Sequence, residues 1–410
     1  MSRARGALVI GGDYKCLGIV RSLGRRGVRV RVLRDDHLLA SASRYAERSY
    51  RWPVAPEPER VAYLLDLART EGLEDWALFP GDEEPAALIA RNRNALAARY
   101  RLGVLAPWET LRWAYDKRLT YRLAADLGVD HPRTWYPRGR EDVLAFDGLF
   151  PAILKPAYRP HLNRFTLAKA WLAEDASALA ERYEDACANL DPSLVMIQER
   201  IPGGGECQFS FAALCREGRP LASVVARRTR QWPMDFGRAS TYVETIEAAD
   251  VEERGRAVLA ALSFDGLVEV EFKRDARDGR LKLLDINPRA WGWHTLGARA
   301  GVDFTYLLWR MVNGDDVPEL RGRAGVRWVR ALTDVPQAMR EIRAGRLSPA
   351  RYLWSLRGPI EFAVLAPDDP LPALLELPAT AYLVWKRRAT ARAAEPLAVG
   401  AARPSGGGTA

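Results

Sequence analysis

Cysteine, histidine and lysine are all scarce in this chain, and each shortage closes off a class of chemistry. Its four cysteines (Cys16, Cys187, Cys207 and Cys215) form no Cys-x-x-Cys pair and have no histidine cluster to join. That excludes the usual zinc spacings and a disulfide framework, so a reducing cytoplasm is the expected setting. The four histidines (His37, His131, His161 and His294) form no triad with a serine. His294, just past Trp291 and Trp293, is the one candidate for a pocket, and packing against a helix is its more ordinary role. A long apolar run is also missing. Leu371 to Trp385 is apolar apart from Glu376, but 15 residues with two internal prolines fall short of the roughly 20 that a membrane span needs. The opening Met-Ser-Arg-Ala-Arg-Gly runs straight into Ala7-Leu-Val-Ile10, so no signal peptide is expected. No segment repeats.

What is present is the composition of a soluble globular protein, with 48% apolar and 28% charged residues. A length of 410 residues calls for two or three domains. The net charge of +9 is spread along the chain among acids, without the dense stripe or interleaved aromatics of a nucleic-acid binder. Arginine supplies 54 of the basic residues and lysine seven, a bias that reflects coding composition. The lysines gain interest because a compact ammonium is not interchangeable with a guanidinium. Five of them lie between residues 117 and 282.

Residues 7–33 read as strand, glycine turn (Gly11-Gly12), helix and strand, the start of a doubly wound α/β unit expected over 1–112. Trp76-Ala-Leu-Phe-Pro80 is a later strand that ends at Asp82 and Glu83. A second unit is expected over 113–315, divided at about residue 200. Its strands include Leu149–Lys155, stopped by Pro156, and Val195–Ile201, stopped by Pro202. A C-terminal extension of mixed Trp, Leu and Pro over 316–394 and a disordered tail over 395–410 complete the expected division. Within the extension, 371–388 is either a helix on the protein's own body or a peripheral membrane contact with Lys386-Arg-Arg388 at the headgroups.

The most informative stretch is Gly266 to Arg289, a β-hairpin by its pattern. Val268, Val270 and Phe272 alternate with Glu269 and Glu271, so the acids share one face. On the return strand Leu283, Asp285 and Asn287 share a face. A two-residue Asp278-Gly279 loop sets Glu271 opposite Ile286, whereas a three-residue Arg277-Asp278-Gly279 loop with left-handed glycine sets it opposite Asp285. The second register is the expectation. Facing carboxylates repel unless a cation lies between them, and oxygen donors alone suit magnesium. The alternative is a half-exposed hairpin whose acids face water.

These pieces together resemble the ATP-grasp superfamily, in particular its carboxylate–amine ligase (carboligase) branch related to D-aspartate ligases. The residues that carry the resemblance are Tyr115-Asp-Lys117, Ile153-Leu-Lys-Pro156, Gln198-Glu-Arg-Ile-Pro-Gly203 with Glu206, Val270-Glu-Phe-Lys273 and Leu284-Asp-Ile-Asn-Pro-Arg289. Arg230 to Gly237 with Ser240-Thr241, and Asn287 to His294, extend it toward that branch. The resemblance implies a Rossmann-like first domain, an ATP-grasp fold of two α+β subdomains and a helical C-terminal extension. It further implies that ATP binds through the phosphate lysines Lys117 and Lys155. The adenine then lies along the backbone of Glu199 to Ile201, and Glu206 takes the ribose. Glu271, Asp285 and Asn287 become ligands of one or two magnesium ions, with manganese as an alternative. Arg289 faces the transferred phosphate, with Lys155 as its catalytic companion. Asp285 stands where the family usually has Glu. The segment Ala157–Thr166 has no glycine where many members carry a glycine-rich cover, which leaves Arg159, His161, Asn163, Arg164 and Lys169 as candidates and Arg228 or Arg230 before Phe236-Gly237 as a substitute.

The implied reaction joins a small carboxylate to an amine through an acyl phosphate, in a cytoplasmic enzyme that needs no nucleic acid and for which a homodimer is open. Two rivals remain. A dinucleotide oxidoreductase would use the N-terminal unit, yet Gly11-Gly12 and Gly18 do not form Gly-x-Gly-x-x-Gly, and Asp35 and Asp36 are weak ribose ligands. A non-catalytic, membrane-associated nucleotide binder would need fewer charges than Lys155, Glu271, Asp285, Asn287 and Arg289 provide.

Overall fold

The computed structural model describes residues 5–161, 163–168, 170–232, 234 and 239–394. Lys169, the Phe236-Gly237 pair and the 395–410 tail, all singled out in the sequence, lie outside the described residues.

Three sheets organise the chain. The first is built from β1 (Gly6–Ile10), β2 (Arg29–Arg34), β3 (Ala46–Arg51), β4 (Ala77–Pro80) and β5 (Arg101–Leu102), in the order β3-β2-β1-β4-β5. All its pairings are parallel, as the apolar run of β1 and its following helix require. That helix, Tyr14–Gly24, starts where it does because the Asp13 carboxylate accepts from the N–H groups of Lys15 and Cys16. The turn before it packs against its own chain. A side chain on Gly12 would run into the His37 carbonyl, and Gly11, at φ +127°, has Cys16 Sγ against it. The glycines therefore serve packing, and the turn offers the cleft Asp13, Tyr14 and Lys15 instead.

The second sheet holds β6 (Thr134–Trp135), β7 (Ala152–Pro156), β8 (Trp171–Ala173) and β9 (Val195–Glu199), in the order β6-β9-β7-β8. The third has eight strands: β10 (Gln208–Arg216), β11 (Arg219–Trp232), β12 (Ala239–Thr245), β13 (Gly266–Arg274), β14 (Leu281–Asn287), β15 (Leu320–Arg321), β16 (Arg327–Val329) and β17 (Ile360–Phe362). Its path is β14-β13-β10-β11-β12-β16-β17, with β15 on β11. The region beyond residue 316 thus adds three short strands to this sheet besides its helices. One apolar core joins Leu17, Val20 and Leu23 of the first helix to Leu214, Trp291, Phe304 and Trp328. That burial holds the N-terminal sheet against the large sheet, and the cleft opens where they meet the small one.

Glu271 does pair with Asp285, but by a different route from the one expected. The turn is a four-residue loop, Ala276–Gly279, closed by Asp275 N–H to the Arg280 carbonyl and by Gly279 N–H to the Asp275 carbonyl. Gly279 takes the left-handed conformation, at φ +74°. That loop alone would leave Glu271 opposite Leu284. A one-residue bulge at Leu284 restores the register, since Phe272 pairs with Leu283 and Glu271 with Asp285. The bulge is fixed from outside the hairpin: Tyr121 Oη donates to the Leu284 carbonyl at 3.0 Å, and the Leu283 N–H donates to the Asp130 carbonyl.

Candidate active site

A cavity of about 390 Å³ lies between the three sheets, and it gathers most of the residues picked out in the sequence. Lys117, Lys155, Glu199, Ile201, Glu271, Asp285, Asn287 and Arg289 all line it. Glu206 does not; its carboxylate turns back to accept from the Gly204 N–H at 3.1 Å.

Lys117 begins the helix Lys117–Asp126, whose start is fixed by the Asp116 carboxylate on the Arg118 N–H and by the Lys117 N–H on the Ala157 carbonyl. Its ammonium reaches Asp285 Oδ1 at 2.6 Å. Burial alone would lower its pKa, but Asp285, Tyr121 and Glu83 outweigh burial and raise it. Lys155 stands on β7 with neutral partners, Gln198 Oε1 at 2.9 Å and Tyr121 Oη at 3.1 Å. Burial and the charge of Lys117 bring its pKa down to about 7. The two lysines are therefore unlike: one is locked in an ion pair, the other holds its proton weakly.

On the opposite wall Arg228 of β11 donates to Ser240 Oγ at 2.8 Å and ion-pairs with Glu271. Asn287 Nδ2 bridges Glu271 Oε1 at 2.8 Å and Glu269 Oε2 at 3.2 Å. Glu269 also accepts from Ser210 and Trp293, and burial beside the Glu271 charge pushes its pKa up to about 7. Arg289 crosses to the N-terminal unit, where its Nη2 meets Glu83 Oε1 at 2.7 Å. Burial works against that guanidinium, but Glu83 and Asp82 raise its pKa, and Arg289 and Arg159 hold Glu83 well below the usual carboxylate range despite burial. Arg159 Nη2 is 3.1 Å from Glu83 Oε2, so among the described residues of 157–166 proposed as phosphate cover it is the one at the cleft, and Arg228 faces it from the opposite wall. Arg164 instead pairs with Asp185, and Asn163 bonds Thr166 in its own loop and donates its Nδ2 to the Asn189 carbonyl at 2.7 Å.

The end of β9 is tied to the hairpin turn. Glu199 accepts from the Arg133 N–H and pairs with Lys282 at 2.7 Å and Arg277 at 2.9 Å, while Lys273 Nζ donates to the Ile201 carbonyl. His294 lies beyond the cleft, packed on Gly18 with Nδ1 on the Trp291 carbonyl, and burial lowers its pKa. Sequence reasoning missed Tyr121, Gln198 and Lys15. Their alternation within β9 and their helix positions look structural, and only the folded chain aims them inward.

The donors fit magnesium. Glu271, Asp285 and Asn287 offer oxygen ligands on neighbouring strands, and Lys117 and Arg228 already bring positive charge to both carboxylates. Among the described residues no three His, Cys, Asp or Glu side chains form a closed cage. Magnesium does not ask for one, since it takes one or two carboxylates and fills its shell with phosphate oxygens and water.

Comparisons bear on this arrangement. Residues 192–332 match the family described as "ATP-grasp in the biosynthetic pathway with Ter operon". No curated protein matches the sequence. Among solved structures, L-amino acid ligase from Bacillus licheniformis is 16% identical with a TM-score of 0.55, over 76% of this chain and 75% of its own. N5-carboxyaminoimidazole ribonucleotide synthetase from Thermus thermophilus is 17% identical with a TM-score of 0.55, over 77% and 81%. The biotin carboxylase domain of Hydrogenobacter thermophilus 2-oxoglutarate carboxylase, solved with MgADP and bicarbonate, is 16% identical with a TM-score of 0.60, over 78% and 73%. The chain thus shares the fold of these three proteins, and its residues 192–332 match an ATP-grasp family.

Proposed function

We propose that this protein is an ATP-dependent ligase that joins a carboxylate to an amine and releases ADP and phosphate. The observation that carries the reading is the convergence of Lys117, Lys155, Arg228 and Arg289 with Glu271, Asp285 and Asn287 on one cleft. Phosphoryl transfer asks for this arrangement, because it depends on positioning and charge neutralisation more than on a protein nucleophile.

In this reading the adenine lies along the backbone of Glu199 to Ile201, and Glu206 swings from the Gly204 N–H to the ribose hydroxyls. Lys117 and Lys155 hold the triphosphate. A magnesium or manganese ion bound at Glu271, Asp285 and Asn287 supplies positive charge to the phosphate oxygens. A substrate carboxylate oxygen attacks the γ-phosphorus, the bond to the bridging oxygen breaks and ADP leaves. Arg289 stabilises the charge on the transferred group as a planar donor fork. The amine nitrogen then attacks the acyl carbon of the acyl phosphate, phosphate departs with the bonding pair, and the nitrogen gives up a proton. Asp13, Lys15, Asp82 and Glu83 form the rim from which the amine arrives.

ADP release with magnesium, measured across pooled carboxylates crossed with pooled amines, tests the reading. Lys155→Ala and Asp285→Asn are each expected to lower turnover on the order of a hundredfold. Robust turnover in both variants would sink the assignment. Hydride transfer to a nicotinamide without ATP would install the oxidoreductase in its place.

A further inference from the structure

The helix Leu371–Ala394 carries its polarity the wrong way round for an element packed on a protein body. Inward it turns Glu376, which accepts from Arg330 Nε at 3.1 Å, and Lys386, whose Nζ lies 2.7 Å from Asp36 Oδ2. Outward it shows Leu374 at 73%, Leu377 at 66% and Trp385 at 65% exposure, with Leu371, Tyr382 and Val384 beside them. Leu371, Leu374, Pro378, Ala381 and Trp385 follow at alternating intervals of three and four, one stripe of a helix. Single apolar residues on a surface are ordinary; a continuous stripe over four turns is not.

Charge distinguishes the occupants. From Leu377 to Ala394 the sequence has no acid, and Lys386, Arg387, Arg388 and Arg392 follow the aromatic pair Tyr382 and Trp385, whose rings are 6.1 Å apart. A second copy laid along the same stripe would offer these cations no acid from its own segment. Lys386 is already paired with Asp36; anionic headgroups would answer the arginines that follow it, and amphipathic aromatic rings favour the boundary between headgroup and acyl chain.

We propose that this helix docks the protein on a bilayer surface rich in anionic lipid, with the stripe laid into the headgroup boundary and the basic end on the headgroups. It lies on the surface without crossing, since no helix among the described residues is long and apolar enough to span. The inference is independent of the ligase reading.

Co-sedimentation of the full chain with vesicles tests it, using phosphatidylcholine alone or mixed with phosphatidylglycerol. The mixed vesicles are expected to pull the protein down, and added salt to release it. The triple variant Leu374→Ser, Leu377→Ser, Trp385→Ser should bind about tenfold less, with its circular dichroism and any ATP turnover unchanged. No partition into mixed vesicles, or equal partition of the triple variant, overturns the proposal. So does a concentration-dependent dimer, lost in the triple variant, in a protein that ignores vesicles; that result would make a second copy the occupant.

Discussion

Lys155→Met is expected to make the ligand-free protein more stable while destroying its activity. The wild-type ammonium is buried, its two hydrogen bonds go to the neutral Gln198 and Tyr121, and Lys117 repels it, so it loses its proton at about 7 instead of 10.5. Below pH 7 the folded protein must hold that charge against the environment. At 1.36 kcal/mol for each tenfold change, the upper bound on the cost is about 5 kcal/mol. Water in the open cleft screens it, and about 2 kcal/mol is the figure to expect. The sign with pH follows from the lowered pKa. Between about 7 and 10.5 the unfolded chain binds the extra proton, so wild-type stability climbs through that window and the advantage of Lys155→Met shrinks. Urea midpoints at pH 6 and pH 9 read this directly. Turnover should meanwhile fall on the order of a hundredfold, since the ammonium that burdens the empty site is the one proposed to meet the triphosphate. A variant less stable than wild type at pH 6, or one whose advantage widens with pH, would refute the reasoning.

Two further outcomes follow from the hold on the site. Asp334 is fully buried and grips Arg230 through both oxygens at 2.8 Å while accepting from Thr241, so Asp334→Ala strands a buried guanidinium and should cost about 3–5 kcal/mol in urea unfolding. Because Arg230 sits two residues from Arg228 on β11, the same change should also raise KM for ATP, whereas Asp334→Asn should do so less. At Gly279 an added methyl meets nothing within 4 Å, so Gly279→Ala tests backbone strain alone and should cost about 1 kcal/mol, with the Glu271–Asp285 register and turnover retained.

The hairpin shows how far the sequence could be read. Alternation told which residues of the first strand share a face but misplaced Leu283. The Leu284 bulge turns Leu283 to the apolar side with Phe272, away from Asp285 and Asn287. The demand that two acids meet selected the pairing that the structure has. The turn was misjudged because Asp278-Gly279 is compatible with loops of two, three or four residues, and the local chain does not choose among them. The choice is made by Tyr121 and Asp130, some 150 residues away, which take up the backbone groups around the Leu284 bulge. Strand identities in β1, β2, β7 and β9 were legible because apolar runs bounded by Gly and Pro announce themselves. The three strands beyond residue 316 were not, being two or three residues long and defined by the sheet they join.

The same distinction separates the charges of the cleft. Lysines and acids at strand ends were visible one by one, but their partners come from distant parts of the chain: Asp285 is answered by Lys117 from a helix, Glu271 by Arg228 from two strands away in its own sheet, and Arg289 by Glu83 of the N-terminal unit. Each ionic group that the proposed reaction needs for phosphate, apart from Lys155, is thus already paired, Glu271 with Arg228 inside its own sheet and Asp285 and Arg289 with groups outside it. A triphosphate entering such a site would exchange partners in place of adding charge to an empty surface, and each exchange would loosen one ion pair while forming another contact. Arg289 is the clearest case, because its release from Glu83 would free the N-terminal wall as it turned to the nucleotide. In the proposed reaction, substrate binding would be coupled to the position of the N-terminal unit through Arg289 and Glu83, a pairing that no pattern along the chain discloses.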